Sequence, residues 1–196
     1  MNNNNSLDAE YWSSRYEANT AQWDLGQVSP AIKNYIDQLT NKNCRILIPG
    51  CGNSYEAAYL LEKGFTNITL IDIAPALVNN LKRKFEGNDH IQIILGDFFE
   101  LNQSFDLIIE QTFFCALTPS LRPNYVIQMK SLLVPNGKLV GLLFDRDFEV
   151  GPPFGGSKEE YIRLFEPDFN FKTFDSCYNS FLKRQKSELF MIFVRK

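Results

Sequence analysis

Three short segments of this 196-residue chain carry residue types that could hold a small polar ligand. The first is Pro49-Gly50-Cys51-Gly52-Asn53-Ser54. Two glycines permit a tight turn and let a ligand approach the backbone with no Cβ in the way. The turn leads into a helical stretch, whose first N–H groups lack intrahelical partners and attract something electronegative. A dinucleotide fingerprint would need a further glycine at position 55, where Tyr55 stands. The second segment ends in Asp72, twenty residues beyond Gly52. An acid there suits the two hydroxyls of a ribose, at about 1.5–3 kcal/mol for each charge-assisted bond. Capping a helix that starts at Ala74 is the plainer use. The third segment closes in Asp97-Phe98, where a carboxylate accepts from an exocyclic amine and a phenyl face covers a purine. Two acids in this succession suit an adenosine lying across strand ends; a strand-terminating turn is the alternative.

The elements that must position these residues are legible around them. Apolar runs over 45–49, 68–73, 91–95, 105–109 and 138–144 alternate with helical stretches over 54–63, 74–85 and 122–134. Continuous apolar runs belong to strands buried on both faces. Strand–helix repetition implies right-handed crossovers and a parallel sheet. A loop at 151–156 and a helix over 158–165 then precede two strand-like runs, 171–178 and 189–194, with no helix between them. The expected fold class is α/β, a Rossmann-like three-layer sandwich. Its mostly parallel seven-stranded sheet ends in an antiparallel C-terminal edge hairpin. Upstream, residues 7–16 read as a helix capped by Asp8, and Ser29-Pro30 opens a second reaching about residue 39. In such sheets ligands bind beyond the carboxyl ends of the strands, where strand order reverses. Residues 50–53, 72, 97–98 and 110–114 fall there.

Composition narrows the function. Hydrophobic residues make up 44% and charged residues 22%, a balance that excludes bulk disorder. The net charge of −3 provides no basic field for phosphates, so no nucleic-acid partner is expected. The apolar runs are far shorter than the roughly 18 residues of a membrane span, so no membrane partner is expected either. The Asn-rich residues 1–6 are expected to be a disordered tail, not a signal peptide, ahead of a single domain over 7–196. Cys44, Cys51, Cys115 and Cys177 form no Cys-x-x-Cys pair and read as buried reduced thiols, which points to a cytoplasmic address. His90, the single histidine, lies in a polar turn at the amino end of the third strand, away from the ligand end. No cluster has metal-ligand spacing, so no metal is expected.

The constellation resembles the class I S-adenosylmethionine-dependent methyltransferases. The resemblance sharpens at Trp23-Asp24-Leu25-Gly26, Ile48-Pro49-Gly50-Cys51-Gly52, Gly96-Asp97-Phe98-Phe99, Thr112-Phe113-Phe114-Cys115-Ala116-Leu117 and Leu121-Arg122-Pro123. Together these are similar to the thiopurine S-methyltransferase family, in its thiol/halide methyltransferase branch. The resemblance implies S-adenosyl-L-methionine as cofactor and S-adenosyl-L-homocysteine as product. It implies that Gly50, Cys51 and Gly52 face the methionine part, Asp72 and Ile73 the ribose, and Asp97 and Phe98 the adenine. Gln111 follows Glu110 where relatives often carry Tyr, so its contact with the cofactor is through side chain or backbone. The family's N-terminal aromatic residues map to Trp12, Tyr16 and Trp23, within a helical lid over about residues 7–40. Trp12 and Tyr16, four apart, read equally as a stripe packed on the core.

A Gly-Pro-Pro-Phe stretch, Gly151-Pro152-Pro153-Phe154, follows the fifth strand rather than the fourth and lacks the amide of an amine-methylating motif. With no histidine at the site, no catalytic residue is assigned; orientation alone supplies about 7–11 kcal/mol. The implied reaction is in-line transfer of a methyl group to a small soft nucleophile: a thiol, a thiopurine-like heterocycle, hydrosulfide or halide. Phe113, Phe114, Phe144, Arg146 and Phe154 are the expected acceptor-pocket residues. The expected partner is a small-molecule acceptor, with the chain a monomer or weak homodimer. Two rival readings are a nicotinamide-dependent oxidoreductase on a Rossmann sheet and a non-catalytic S-adenosylmethionine-binding scaffold.

Overall fold

A computed structural model describes residues 7–18, 20 and 23–196; the expected tail at 1–6 lies outside the described residues. Five strands are parallel neighbours: β1 (Ile46–Pro49), β2 (Ile68–Asp72), β3 (Ile91–Leu95), β4 (Phe105–Gln111) and β5 (Leu133–Phe144). Two more, β6 (Phe169–Ser176) and β7 (Glu188–Arg195), join antiparallel. The order is β3-β2-β1-β4-β5-β7-β6, so the direction of winding reverses between β1 and β4.

Alternate residues of each central strand enter different cores, which is why the strands read as unbroken apolar runs. Ile46, Ile48, Ile68, Leu70, Leu107 and Ile109 pack under α2 (Pro30–Asp37), α3 (Tyr55–Glu62) and α4 (Pro75–Lys84). Leu47, Ile71 and Ile108 point the other way, toward α5 (Arg122–Leu132) and α6 (Lys158–Phe165). The result is helix, sheet, helix: the expected three-layer sandwich. Upstream, α1 (Ala9–Glu17) begins at Asp8, whose carboxylate accepts from the Tyr11 N–H at 3.0 Å. The helix leans on the start of α4, where the Ala76 N–H donates to Ser13 Oγ at 3.4 Å.

Several boundaries move by one or two residues from the sequence expectation, and two differences, at the end of β4 and the start of β5, are structural. β4 runs to Gln111, two residues past the expected end of the run at 109, because Glu110 is fully buried and bonded within the fold. The turn at 135–137 lies inside β5 as a bulge, with Asn136 at φ 62°; pairing with β4 resumes at Lys138. In the C-terminal hairpin the returning strand β7 sits inside, against β5, and β6 takes the edge. β7 is apolar on both faces (Met191 and Phe193 in one core, Phe190 and Ile192 toward the other), whereas β6 exposes Asn170, Lys172 and Asp175. A one-sided strand tolerates an edge; a two-sided one does not.

Candidate active site

The reversal of winding leaves a cavity of about 810 Å³ beyond the carboxyl ends of β1, β2, β3 and β4. Its size lies within the 300–1,000 Å³ typical of small-molecule sites. Gly50, Cys51 and Gly52 form its floor, with both glycines at positive φ (53° and 51°), a region L side chains rarely adopt. A Cβ on Gly50 would collide with the Phe113 ring, and one on Gly52 would stand 3.5 Å from the Tyr16 hydroxyl. The floor is therefore bare backbone, closed on one side by the β4 loop and on the other by α1.

Asp72 and Ile73 line this cavity, as do Asp97 and Phe98. Asp72 is buried, accepts from the Ala74 N–H at 3.0 Å, and makes no ion pair among the described residues. Burial pushes its carboxyl up to about 6, and the backbone N–H groups of Ala74, Gly52 and Ile73 restrain the rise. Asp97 accepts from the Phe99 N–H at 2.9 Å and opens a 3-10 turn. Phe98 is mostly buried, its ring centroid 5.1 Å from that of Phe113. Asp97 caps its 3-10 turn as read, whereas Asp72 is not the cap of α4. It bonds the N–H of Ala74, which occupies the N-cap position with no side-chain bond to the helix; both acids line one shared cavity.

Trp12, Tyr16 and Trp23 also line the cavity. Trp12 and Trp23 meet edge to face at 5.5 Å, and Tyr16 and Trp23 at 6.0 Å. Trp12 and Tyr16 pack on the core stripe as well, so the two readings of that stripe describe opposite sides of the same rings. Burial, then the nearby Asp72 carboxylate, pushes the Tyr16 hydroxyl far up, so it stays neutral. Asp24 fixes the segment below: it accepts from the Asn53 side chain, from the Tyr55 hydroxyl at 3.2 Å and from the Gly26 N–H at 2.6 Å. Tyr55, which breaks the dinucleotide pattern, thus ties the Gly50-Cys51-Gly52 turn to the N-terminal segment.

The β4 loop supplies the opposite wall. Glu110 is wholly buried; one carboxylate oxygen accepts from the Phe113 and Phe114 N–H groups at 2.8 and 3.1 Å, and the other from the Tyr125 hydroxyl at 2.6 Å. Thr112 sits at φ 62°, a strained conformation held by these bonds. The loop thereby presents Gln111 and Phe113 to the cavity. Both polar atoms of the Gln111 side chain are buried with no hydrogen-bond partner.

The residues expected to form an acceptor pocket are only partly brought together. Phe113 and Phe144 line the cavity, but Phe114, Arg146 and Phe154 do not. Phe114 turns into the core, its ring 4.9 Å from Tyr125 and 5.5 Å from Tyr161, because successive residues of a 3-10 turn are rotated by about 120° and so part from one another. Arg146 is exposed and lies over the Phe148 ring at 4.7 Å. Phe154 donates its N–H to the Cys115 carbonyl at 2.7 Å and packs on Gly151, leaving Pro152 and Pro153 to face the cavity. The cation at this end is Arg184, which the sequence reading missed. It donates to the Trp23 carbonyl at 2.6 Å and pairs with Glu188 at 3.3 Å, and its guanidinium lies 5.4 Å from the Phe144 ring. Its signal was the spacing of Arg184 and Glu188, four apart in an otherwise polar stretch. Burial pushes the Cys115 thiol up to about 12 and the Cys51 thiol well above its usual value, so neither supplies a thiolate at neutral pH.

This sheet order, with a bare Gly-x-Gly floor and a nucleoside-sized cavity at the reversal of winding, defines a class I S-adenosylmethionine-dependent methyltransferase. Comparison with known proteins agrees. The fold matches a Burkholderia thailandensis 1,6-didemethyltoxoflavin-N1-methyltransferase with TM-score 0.74 at 17% identity, over 96% of this chain and 87% of that one. It also matches a TehB-like methyltransferase from Corynebacterium glutamicum with TM-score 0.67 at 18% identity, over 96% and 98%. In sequence the chain is 33% identical to a probable thiol methyltransferase 2 of Arabidopsis thaliana, over 80% of this chain and 71% of that protein. It is 28% identical to thiocyanate methyltransferase 1 of the same plant, over 73% and 65%, and 27% identical to a thiopurine S-methyltransferase of Photobacterium profundum, over 82% and 83%. The thiopurine S-methyltransferase family profile matches residues 7–193, and the chain belongs to that family. The oxidoreductase and scaffold readings therefore fall away: the protein is an S-adenosylmethionine-dependent methyltransferase.

Proposed function

We propose that this enzyme methylates a small, soft, anionic nucleophile, such as a thiolate, hydrosulfide, thiocyanate or halide. The observation that carries the reading is the acceptor end of the cavity: apolar walls from Phe113, Phe144, Leu117, Pro152 and Pro153 around the buried cation Arg184. Glu188, the partner of Arg184, is not among the lining residues, so an anion meets the cationic side of that pair while the walls strip its water, which strengthens every charge interaction inside. His90 is not among the lining residues, and the thiols there are protonated, so a nucleophile that arrives already ionised needs no proton removed. The named activities of the plant relatives, on thiols and thiocyanate, point the same way.

Bound in the cavity, S-adenosylmethionine would supply a methyl group on a cationic sulfur. On this reading Asp72 accepts the ribose hydroxyls and Asp97 the adenine amine, with Ile73 and Phe98 against the rings. Trp12, Tyr16 and Trp23 form the lid and turn aromatic faces to the sulfonium, worth about 0.5–2 kcal/mol when dry. Gln111, orphaned in the wall, gains a partner when donor or acceptor enters. No side chain need act as an acid or base; the walls hold donor and acceptor in line. All four cysteines are free thiols, consistent with a reducing cytoplasmic address.

The test is a product screen. The protein is incubated with S-adenosylmethionine and a panel of thiols, thiopurines, hydrosulfide, thiocyanate, iodide and arsenite, and methylated products are read by mass spectrometry. Turnover is expected for the anionic soft acceptors. Turnover confined to neutral amines or alcohols would reject the reading.

A further inference from the structure

The cavity wall carries four carboxylates, on Asp24, Glu56, Asp72 and Asp97, and two guanidinium groups, on Arg15 and Arg184. Most of these are already engaged. Asp24 has three donors, Asp72 and Asp97 each accept from a backbone N–H of the following turn, and Arg184 is shared between Glu188 and the Trp23 carbonyl.

Glu56 and Arg15 are the exceptions. Glu56, in the first turn of α3 just past the Gly50-Cys51-Gly52 floor, is 6% exposed. Beyond its own backbone its one donor is the Ser29 N–H, at a long 3.5 Å, and it forms no ion pair among the described residues. Lys84 lies near enough to ease its charge, but that ammonium is held on the Asn53 carbonyl at 2.7 Å. Arg15, on α1, donates to the Tyr11 hydroxyl at 3.1 Å and lies over that ring at 5.1 Å. It too forms no ion pair among the described residues. One cavity thus has an underpaired buried anion in its floor and an unpaired cation in its cover. Leaving a buried carboxylate without a counter-charge is costly, and a zwitterion would relieve both groups at once.

We propose that Glu56 receives the α-ammonium and Arg15 the α-carboxylate at the amino-acid end of S-adenosylmethionine. The proposal rests on the donor-site reading of the cavity. It makes Arg15 the residue through which the donor's own carboxylate draws α1 down over the site. Asp24, although closer in sequence to the aromatic residues, does not take the ammonium because its oxygens are committed to Asn53, Tyr55 and Gly26.

The test is calorimetric, with four ligands: S-adenosylhomocysteine, its deamino analogue, its decarboxylated analogue, and 5′-methylthioadenosine, which lacks the amino-acid end. Glu56→Gln keeps the side-chain shape. It is expected to weaken S-adenosylhomocysteine and the decarboxylated analogue about tenfold or more while leaving the other two within roughly twofold. Arg15→Gln is expected to weaken S-adenosylhomocysteine and the deamino analogue by a similar factor and spare the other two. Retained binding of 5′-methylthioadenosine shows that each variant is folded. Should Glu56→Gln not fold, Glu56→Asp, which withdraws the charge by one methylene, takes its place with the same expected pattern. An equal loss across all four ligands, or no loss, overturns the proposal. So does a parent enzyme that binds 5′-methylthioadenosine as tightly as S-adenosylhomocysteine. A parent that binds none of the four overturns the donor-site reading itself.

Discussion

The guanidinium of Arg184 donates to the carbonyl of Trp23 at 2.6 Å across 161 residues of chain. One buried side chain therefore joins the N-terminal aromatic group to the C-terminal hairpin, and its charge is balanced by Glu188. Breaking a buried pair from one side leaves an uncompensated charge and costs about 3–5 kcal/mol. Arg184→Gln is expected to lower the melting temperature clearly, and a further Glu188→Gln to recover most of the loss. In both variants KM for an anionic acceptor should rise. A double variant as unstable as the single one would show that the stranded carboxylate was not the cause.

Phe113 and Gly50 make a second testable pair. A Cβ on Gly50 would collide with the Phe113 ring, and the backbone there is at φ 53°. Gly50→Ala is expected to weaken S-adenosylhomocysteine binding at least about tenfold, because overpacking and left-handed strain add, at about 1–3 kcal/mol each. Truncating Phe113 to Ala in the same chain removes the two closest contacts, both with the ring, while the close contact with its Cβ at 2.9 Å and the strain both remain. The double variant should therefore regain part of the affinity, a non-additive result that calorimetry on the four proteins would read.

Glu110 makes stability depend on pH. Burial raises its carboxyl from the usual 4.5 to about 7, partly offset by the Tyr125 hydroxyl and the two loop N–H groups. An acid whose pKa is higher in the folded state stabilises the fold most below its unfolded value. That contribution is lost as pH rises from 4.5 through 7. The whole effect is at most about 3 kcal/mol by linkage. Urea melts of Glu110→Gln should lose this part of the slope and match or exceed the parent in stability at pH 8. A variant that keeps the parent's slope would assign the titration elsewhere.

The sheet was readable because its chemistry is local. Runs such as Ile46–Pro49 and Ile68–Asp72 are buried on both faces, and turns at Gly50 and Gly64 require positive φ. That the strand-end residues line one cavity was readable for a related reason: the parallel topology carries the carboxyl ends of β1 to β4 to one rim, so position along the chain predicts position in space. The residues expected at an acceptor pocket follow no such rule. Phe113 and Phe114 are adjacent, yet one faces the cavity and the other the core, according to how Glu110 folds the loop from within. Arg146 and Arg184 both follow strand-like runs, and only the packing of the 177–187 segment against Trp23 selects Arg184. Long-range contacts of that kind leave no periodicity in the sequence.

Asp72 separates two uses of one carboxylate. In the turn ahead of α4 it accepts from the Ala74 N–H; in the proposed role of ribose acceptor it must be ionised. Burial raises it from 3.8 to about 6. For the ligand-free protein the sign matches that of Glu110: its stabilising contribution is present below 3.8 and lost as pH rises through 6. Donor affinity runs the opposite way, nearly constant above pH 7 and falling by up to about tenfold per pH unit below 6. Asp72→Ala should weaken S-adenosylhomocysteine by one to two orders of magnitude at pH 8, from the roughly 1.5–3 kcal/mol of each lost charge-assisted bond. It should also flatten the affinity profile between pH 5 and 7. Calorimetric titrations of parent and variant across that range decide the matter: if the two profiles coincide, the carboxylate of Asp72 holds the turn before α4 and does nothing for the donor.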